Sequence, residues 1–184
     1  MKNKLREKFL HSRKAISGKA EKSQLICQHL AQSEFFQRAQ SVLFFAGTSS
    51  EPNLLPLLES NLEKKNCLLP FCGDSSFHAK SIGDLQDLQP GKFGILSPPP
   101  SCRNFAKEHI DLVLTPAVCV DLFGNRIGMG GGFFDRFFAD FSGVKVAVLF
   151  AEQICERCPS ESHDVKVDLL CTENGILNLK ELPT

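Results

Sequence analysis

Ser41 to Ala46 reads S-V-L-F-F-A, a short, unbroken apolar run between two polar stretches. A run this short and this continuous is what a strand buried on both faces requires, since neither side of the pleat meets water. The same signature recurs at Cys67 to Phe71, which is closed by Pro70 and Gly73, at Asp111 to Thr115 (D-L-V-L-T) and at Lys145 to Phe150 (K-V-A-V-L-F). Val118 to Asp121 adds a short fourth strand, Phe77 to Ile82 alternates as a strand would, and Val167 to Cys171 supplies an edge. Between the runs the period lengthens to that of helices. Leu5, Phe9 and Ile16 share one face of a first helix, and Leu25, Ile26, His29 and Leu30 share one face of a second, which opens at a break and N-cap around Ser17 and Gly18. Pro52 to Lys65 is expected as a helix with proline near its first turn, and Phe133 to Phe141 as another. Strand–helix–strand alternation with apolar strands predicts one α/β domain over residues 1–184. It would have a largely parallel sheet with helices on both faces, a Rossmann-like three-layer α/β/α arrangement, and helices of residues 1–40 packing on that core.

Composition limits what such a domain does. The chain has 184 residues, 42% hydrophobic and 23% charged, with 21 basic and 21 acidic side chains. That balance belongs to an ordinary globular chain, and a net charge of zero disfavours a broad attraction to nucleic acid or membrane surfaces. No apolar run nears the roughly 20 residues that span a bilayer, and the charged N-terminus M-K-N-K-L-R-E-K is not a secretory signal. A cytoplasmic monomer without nucleic-acid or membrane partners is expected. The eight cysteines are mostly isolated on apolar segments. Only Cys155 and Cys158 have C-x-x-C spacing, with no second pair at zinc-site distance. Scattered reduced core thiols are therefore the first reading, with a metal or redox site as the second.

The chemistry concentrates between Asp121 and Arg136, D-L-F-G-N-R-I-G-M-G-G-G-F-F-D-R. Glycine lets a ligand approach bare backbone, guanidiniums favour an anion, and a carboxylate beside them suits a divalent cation bridging phosphate oxygens. The loop has neither the G-K-[ST] of a Walker A sequence nor a complete dinucleotide fingerprint. A phosphate cradle and a plain structural turn both remain readings of the glycines. A helix opening at Phe133, with free N–H groups, weighs toward the cradle. Arg136 is otherwise a surface residue, and Asp135 otherwise a partner of the helix dipole.

Extended to Thr115, the stretch T-P-A-V-C-V-D-L-F-G-N-R-I-G-M-G-G-G-F-F-D-R resembles the signature of the 5-formyltetrahydrofolate cyclo-ligases, T-P-x-x-x-x-D-x-x-G-x-R-[LI]-G-x-G-x-G-[YF]-[YF]-D. Lys2 to Arg6 resembles the family's K-x-x-L-R, Leu69-Pro70 its L-P, Phe93-Gly94-Ile95 its G-I approach, and Gln153, Pro159 and His163-Asp164 to Asp168 its closing pattern. The resemblance implies an ATP- and Mg²⁺-dependent closure of 5-formyltetrahydrofolate to 5,10-methenyltetrahydrofolate, with ADP and phosphate released. It implies that Lys2 and Arg6 reach the ATP phosphates, and that Arg126, Ile127, Gly128, Met129, Gly130, Gly131, Gly132, Phe133 and Phe134 wrap them. Asp135 and Asp168 would ligate Mg²⁺, with Arg126 and Asp135 as the catalytic pair. Glu51 would hydrogen-bond the pterin, with Ala46 and Phe134 lining the folate. Without the resemblance, Lys2 and Arg6 read as solvated helix charges, Asp168 as a surface residue and Glu51 as a loop residue near a helix start. Phe stands at 133 and 134 where the family often has Tyr, so only stacking is left there. A second reading is a formylfolate-binding reservoir without turnover, and a third an unrelated ATP-dependent ligase or kinase.

Overall fold

In a computed structural model, which describes residues 1–72, 77–91 and 94–181, the chain begins with three helices: α1 (Lys2–Ala15), α2 (Lys19–Gln32) and α3 (Glu34–Arg38). Two were expected. Ser33 makes the extra break, its backbone extended and its hydroxyl donating to the Leu30 carbonyl at 2.7 Å. The α2 N-cap is Gly18, in the left-handed region at φ 64°, and Ser17 takes no part. Then come β1 (Ser41–Leu43), α4 (Leu55–Glu59), β2 (Asn66–Cys72), β3 (Phe77–Ser81), β4 (Gln89–Pro90), β5 (Leu96–Ser97), β6 (Asn104–Phe105) and β7 (Leu112–Pro116). The chain continues through β8 (Cys119–Asp121), β9 (Arg126–Ile127), α5 (Phe133–Phe138), β10 (Val144–Val148), β11 (Ile154–Cys155), β12 (Leu169–Thr172) and β13 (Gly175–Asn178).

The eight-stranded sheet has the order β13-β12-β10-β7-β1-β2-β3-β6. Its five central strands pair in parallel, and antiparallel strands finish both edges. The apolar runs account for this: Val42 faces one side and Leu43 the other, both fully buried. On the first side Val42, Phe44, Leu69, Leu112, Val146 and Val148 pack with Ile26 and Leu30 of α2, Phe36 of α3 and Leu57 and Leu58 of α4. On the second, Leu43, Leu68 and Val113 meet Phe137 and Phe138 of α5.

Several elements depart from expectation. The helix expected over Pro52 to Lys65 is only the five residues of α4. Ser60 Oγ and Asn61 Nδ2 both donate to the Leu57 carbonyl, at 3.0 and 2.8 Å, competing with the backbone donors that would extend the helix. Pro70 does not close its strand. It lies inside β2, beyond Leu68, the last residue paired with β1, so its missing N–H leaves that ladder intact. Gly73 lies outside the described residues. β12 is interior, because Glu173 and Asn174 turn the chain back into β13, which takes the edge. The strand leading into the glycines belongs to a second sheet, β11-β8-β9, on which α1 lays Phe9 against Val118, Cys119 and Ile127. Among the described residues, no helix is long and apolar enough to cross a membrane.

Candidate active site

The hairpin of β8 and β9 prepares the loop. Asp121, fully buried, accepts from the backbone N–H groups of Phe123 and Asn125 at 3.0 and 2.9 Å and from the Asn125 amide. Gly124 completes this turn with φ 82°, pressed against the Val167 carbonyl, where a Cβ would come within 2.7 Å. The turn sends Arg126 and Ile127 back as β9. Ile127 is buried among Phe9, Val118 and Cys119, so its side chain belongs to that core. Gly128 to Gly132 then runs outward with Met129 exposed, before α5 begins. At six residues, α5 is shorter than the helix expected to Phe141, and a dipole that short has little reach. Attraction for an anion must come from side chains.

Those side chains are present. A Cβ on Gly128 would stand 3.3 Å from the Arg126 guanidinium, one on Gly130 3.5 Å from that of Arg6, and one on Gly132 2.9 Å from that of Arg136. Each alternate glycine thus abuts a different arginine, and three cations from α1, β9 and α5 meet on one stretch of bare backbone. Gly130 has φ 102° and Gly132 φ 64°, conformations that L side chains rarely adopt. Arg6 Nε also donates to the Gly128 carbonyl at 2.8 Å, which fixes α1 to the loop. The first turn of α1 carries Lys2 and Lys4 and no acidic residue. That arrangement opposes the helix dipole, and Lys2 is compensated by Asp164, 2.5 Å from its Nζ.

Arg126 is the inner member of the set. It is buried, flanked by the rings of Phe134 and Phe138 with centroids 5.7 and 5.4 Å from its guanidinium carbon. One terminal nitrogen donates to Asp135 Oδ1 at 2.8 Å, while its buried Nε has no partner among the described residues. Burial pushes Arg126 below the ordinary arginine range, and the charges of Asp135 and Asp164 push it back up. Asp164 is itself held below the usual carboxylate range: burial works upward, but the Lys2 ammonium and the Glu161 N–H outweigh it. Asp135 is thus the carboxylate paired with Arg126, while Asp164 is paired with Lys2 and reaches Arg126 only through its charge.

Asp168 does not join them. It precedes β12 and accepts from Lys145 N–H at 2.8 Å, with Lys145 Nζ and Lys180 Nζ each at 2.9 Å. These partners tie the starts of β10 and β12 together. Glu51 is likewise engaged, with Arg13 Nη1 of α1 2.9 Å from Oε1 and the Thr48 N–H 2.8 Å from Oε2. Ala46 is buried in the main core. Sequence reasoning missed Arg13, whose only local signal is its place on the buried stripe of α1, one turn past Phe9. It also left Asp164 without a role.

Phe134 packs on Phe77 at 5.3 Å and Phe133 on Phe77 at 6.5 Å. Beside them an open cleft of about 330 Å³ is lined by Phe77, His78, Phe105, Lys107, Phe133 and Arg136. It offers apolar ring faces with cations at the rim. Phe93, which the resemblance also invoked, lies outside the described residues.

Residues 1–173 match the model of the 5-formyltetrahydrofolate cyclo-ligase family. The chain belongs to that family. A 5-formyltetrahydrofolate cyclo-ligase of Mycolicibacterium smegmatis is 30% identical over 153 residues, covering 77% of this chain and 78% of its own. One from Haemophilus influenzae is 28% identical over 151 residues, covering 77% and 80%. Among solved structures, the Aquifex aeolicus 5,10-methenyltetrahydrofolate synthetase superposes with a TM-score of 0.88 at 29% identity, covering all of this chain and 95% of that one. The cyclo-ligase described here is thus an enzyme of the ligase class, with the α/β fold of its relatives.

Proposed function

We propose that this cyclo-ligase uses ATP and Mg²⁺ to close 5-formyltetrahydrofolate to 5,10-methenyltetrahydrofolate, releasing ADP and phosphate. The observation that carries the reading is the convergence of Arg6, Arg126 and Arg136 on Gly128, Gly130 and Gly132. Three guanidiniums at a backbone stripped of side chains match the charge and planarity of a polyphosphate. The Nε of Arg126, buried without a partner among the described residues, is a further donor for an anion.

ATP would lie along Gly128 to Gly132, with Lys2 and Arg6 reaching it from α1. Asp135, whose Oδ1 holds Arg126, would offer its second oxygen to a cation, and Asp164, paired with Lys2 of the helix that also carries Arg6, would be the second carboxylate. Asp168, engaged by two lysines, holds strands together. When bound, ATP with Mg²⁺ supplies an activated phosphoryl group that turns the formyl oxygen into a leaving group for ring closure. The protein's part is positioning and charge neutralisation. Arg126, clamped by Phe134 and Phe138, holds its charge at a fixed place, and the aromatic cleft beside Phe133 offers the folate a stacking wall. Glu51 would meet the pterin through the acceptor sites that Arg13 and the Thr48 N–H leave on its carboxylate.

The test is growth of the methenyl product's near-ultraviolet absorbance with 5-formyltetrahydrofolate, ATP and Mg²⁺. The protein's lack of Trp and Tyr keeps its own background low. Product formation, with a raised KM for ATP in Arg6→Met, is expected. Tight formylfolate binding without product would instead establish a reservoir, and ATP turnover only with another acceptor an unrelated ligase or kinase. The assembled phosphate half weighs against the reservoir, which has no use for it.

A further inference from the structure

The cysteines also have a place in the fold that their spacing conceals. Cys119 lies on β8 and Cys155 on β11, which runs parallel beside it with Cys155 opposite Asp121. Cys158 follows three residues later, its N–H donating to Asp121 Oδ2 at 2.8 Å. The three sulfurs all lie within 4.8 Å of one another. Cys158 Sγ is 3.9 Å from that of Cys119 and 3.2 Å from that of Cys155.

From this convergence we infer that Cys119, Cys155 and Cys158 form a thiolate site for a closed-shell thiophilic cation, zinc(II) above all, outside the phosphate and folate sites. A tetrahedral zinc ion with Zn–S bonds near 2.3 Å sets its sulfurs about 3.8 Å apart. The Cys119–Cys158 pair has that spacing already, and the Cys155–Cys158 pair opens by about half an ångström to reach it. Cys119 and Cys158 are buried while Cys155 is part-exposed, so the ion enters past Cys155 and completes its coordination with water. Thiolates are soft donors, which selects zinc over the Mg²⁺ proposed for the active site.

The surroundings are those of a positioned ligand set. Asp121 is fully buried and forms no ion pair among the described residues. It accepts from Cys158 N–H and from Asn125, and so fixes the loop that carries Cys158 to the strand that carries Cys119. Carboxylates behind metal ligands serve in this way. Two other fates of the trio explain less. A Cys155–Cys158 disulfide uses two sulfurs and gives the buried Cys119 no part. Plain core packing does not call for three sulfurs drawn together around an open side. Leu5, Phe9 and Leu10 of α1 share one apolar cluster with the trio, and α1 also carries Lys2 and Arg6. An ion here would therefore fix the small sheet against which that helix packs. Binding converts three S–H groups into three Zn–S bonds and releases three protons, so it tightens as pH rises.

The test uses the intact chain, reduced with a phosphine and freed of metal, titrated with Co²⁺ as the optical probe and then with Zn²⁺. A sulfur-to-cobalt charge-transfer band is expected to saturate at one ion per chain and to vanish on adding Zn²⁺. Cys119→Ser, Cys155→Ser and Cys158→Ser should each abolish or shift it, and Cys102→Ser should leave it intact. Because a serine variant can misfold, the wild type is also alkylated with and without Zn²⁺ and its peptides mapped. Protection of these three cysteines and no others supports the site. Absence of the band in the reduced wild type overturns the inference, as does a band that survives in the triple variant. So does zinc-independent reactivity of all three thiols.

Discussion

Replacing Glu51 by Gln keeps the shape of that side chain and removes its charge, and the structure allows the cost to be worked out. The Arg13–Glu51 pair is 2.9 Å long, and its side chains are only 4% and 8% exposed, so solvent screens it little. Arg13 Nε is already buried without a partner among the described residues. Neutralising Glu51 leaves a buried guanidinium with no counter-charge, a change that costs about 3–5 kcal/mol in comparable sites. With a urea m-value of about 2 kcal/mol per molar for a chain of this size, a loss of 3 kcal/mol lowers the unfolding midpoint by about 1.5 M. Far-UV circular dichroism is the probe, since the chain has no Trp or Tyr. The paired replacement Arg13→Met with Glu51→Gln removes both charges together, keeps an acceptor for the Thr48 N–H, and should recover most of the loss, to within about 1 kcal/mol of wild type. A midpoint shift under about 0.3 M in Glu51→Gln, alongside a collapse in formylfolate affinity, would refute the reasoning. It would give Glu51 to the ligand rather than to the fold.

Gly130→Ala places a Cβ at φ 102°, 3.5 Å from the Arg6 guanidinium. It should cost about 1–3 kcal/mol of stability and raise KM for ATP while leaving KM for formylfolate near wild type; equal KM values for ATP in steady-state kinetics would count against the cradle. Asp164→Asn should raise the Mg²⁺ needed for half-maximal turnover by roughly tenfold, equivalent to about 1.4 kcal/mol. Asp168→Asn should leave that requirement unchanged, and the reverse result in a Mg²⁺ titration would exchange their roles. Asp168 also makes a prediction about acid. Burial works to raise it, but hydrogen bonds from Lys180 and Lys145 prevail and hold it below the ordinary carboxylate range. Its stabilisation is thus present above the unfolded value of about 3.9 and is lost as pH falls through the lower folded value. The wild type should lose stability over that acid window more steeply than Asp168→Asn, and parallel acid-unfolding curves would show that the lysine pairs contribute nothing. Asp135→Asn should lose turnover that excess Mg²⁺ restores only in part; wild-type rates in the coupled absorbance assay would remove Asp135 from the reaction.

The parallel core was legible because Ser41 to Ala46 and Lys145 to Phe150 are apolar at consecutive positions, and burial on both faces leaves that mark on the sequence itself. What escaped depends on partners far away in the chain. The second sheet needs β11 to reach β8 across the whole of α5 and β10. The same pairing brings Cys119 to the Cys155 and Cys158 pair, and no spacing rule announces it. Asp164 and Asp168 show the limit most sharply. Four residues apart on one non-helical stretch, both acidic and both near the end of the family pattern, they are indistinguishable as letters. What separates them is which cations the fold delivers: Lys2 from α1 and the field of Arg126 to Asp164, Lys145 and Lys180 to Asp168. On the proposed function, Asp164 can exchange its pairing with Lys2 for a metal, because that ammonium then turns to the phosphates. Asp168 is shared by Lys145 and Lys180 at the opening of two strands, and a metal there would compete with the little-exposed Lys145 ammonium. On the proposed function, position in the charge network, set by topology, is therefore what separates a carboxylate free to serve the reaction from one that joins two strands.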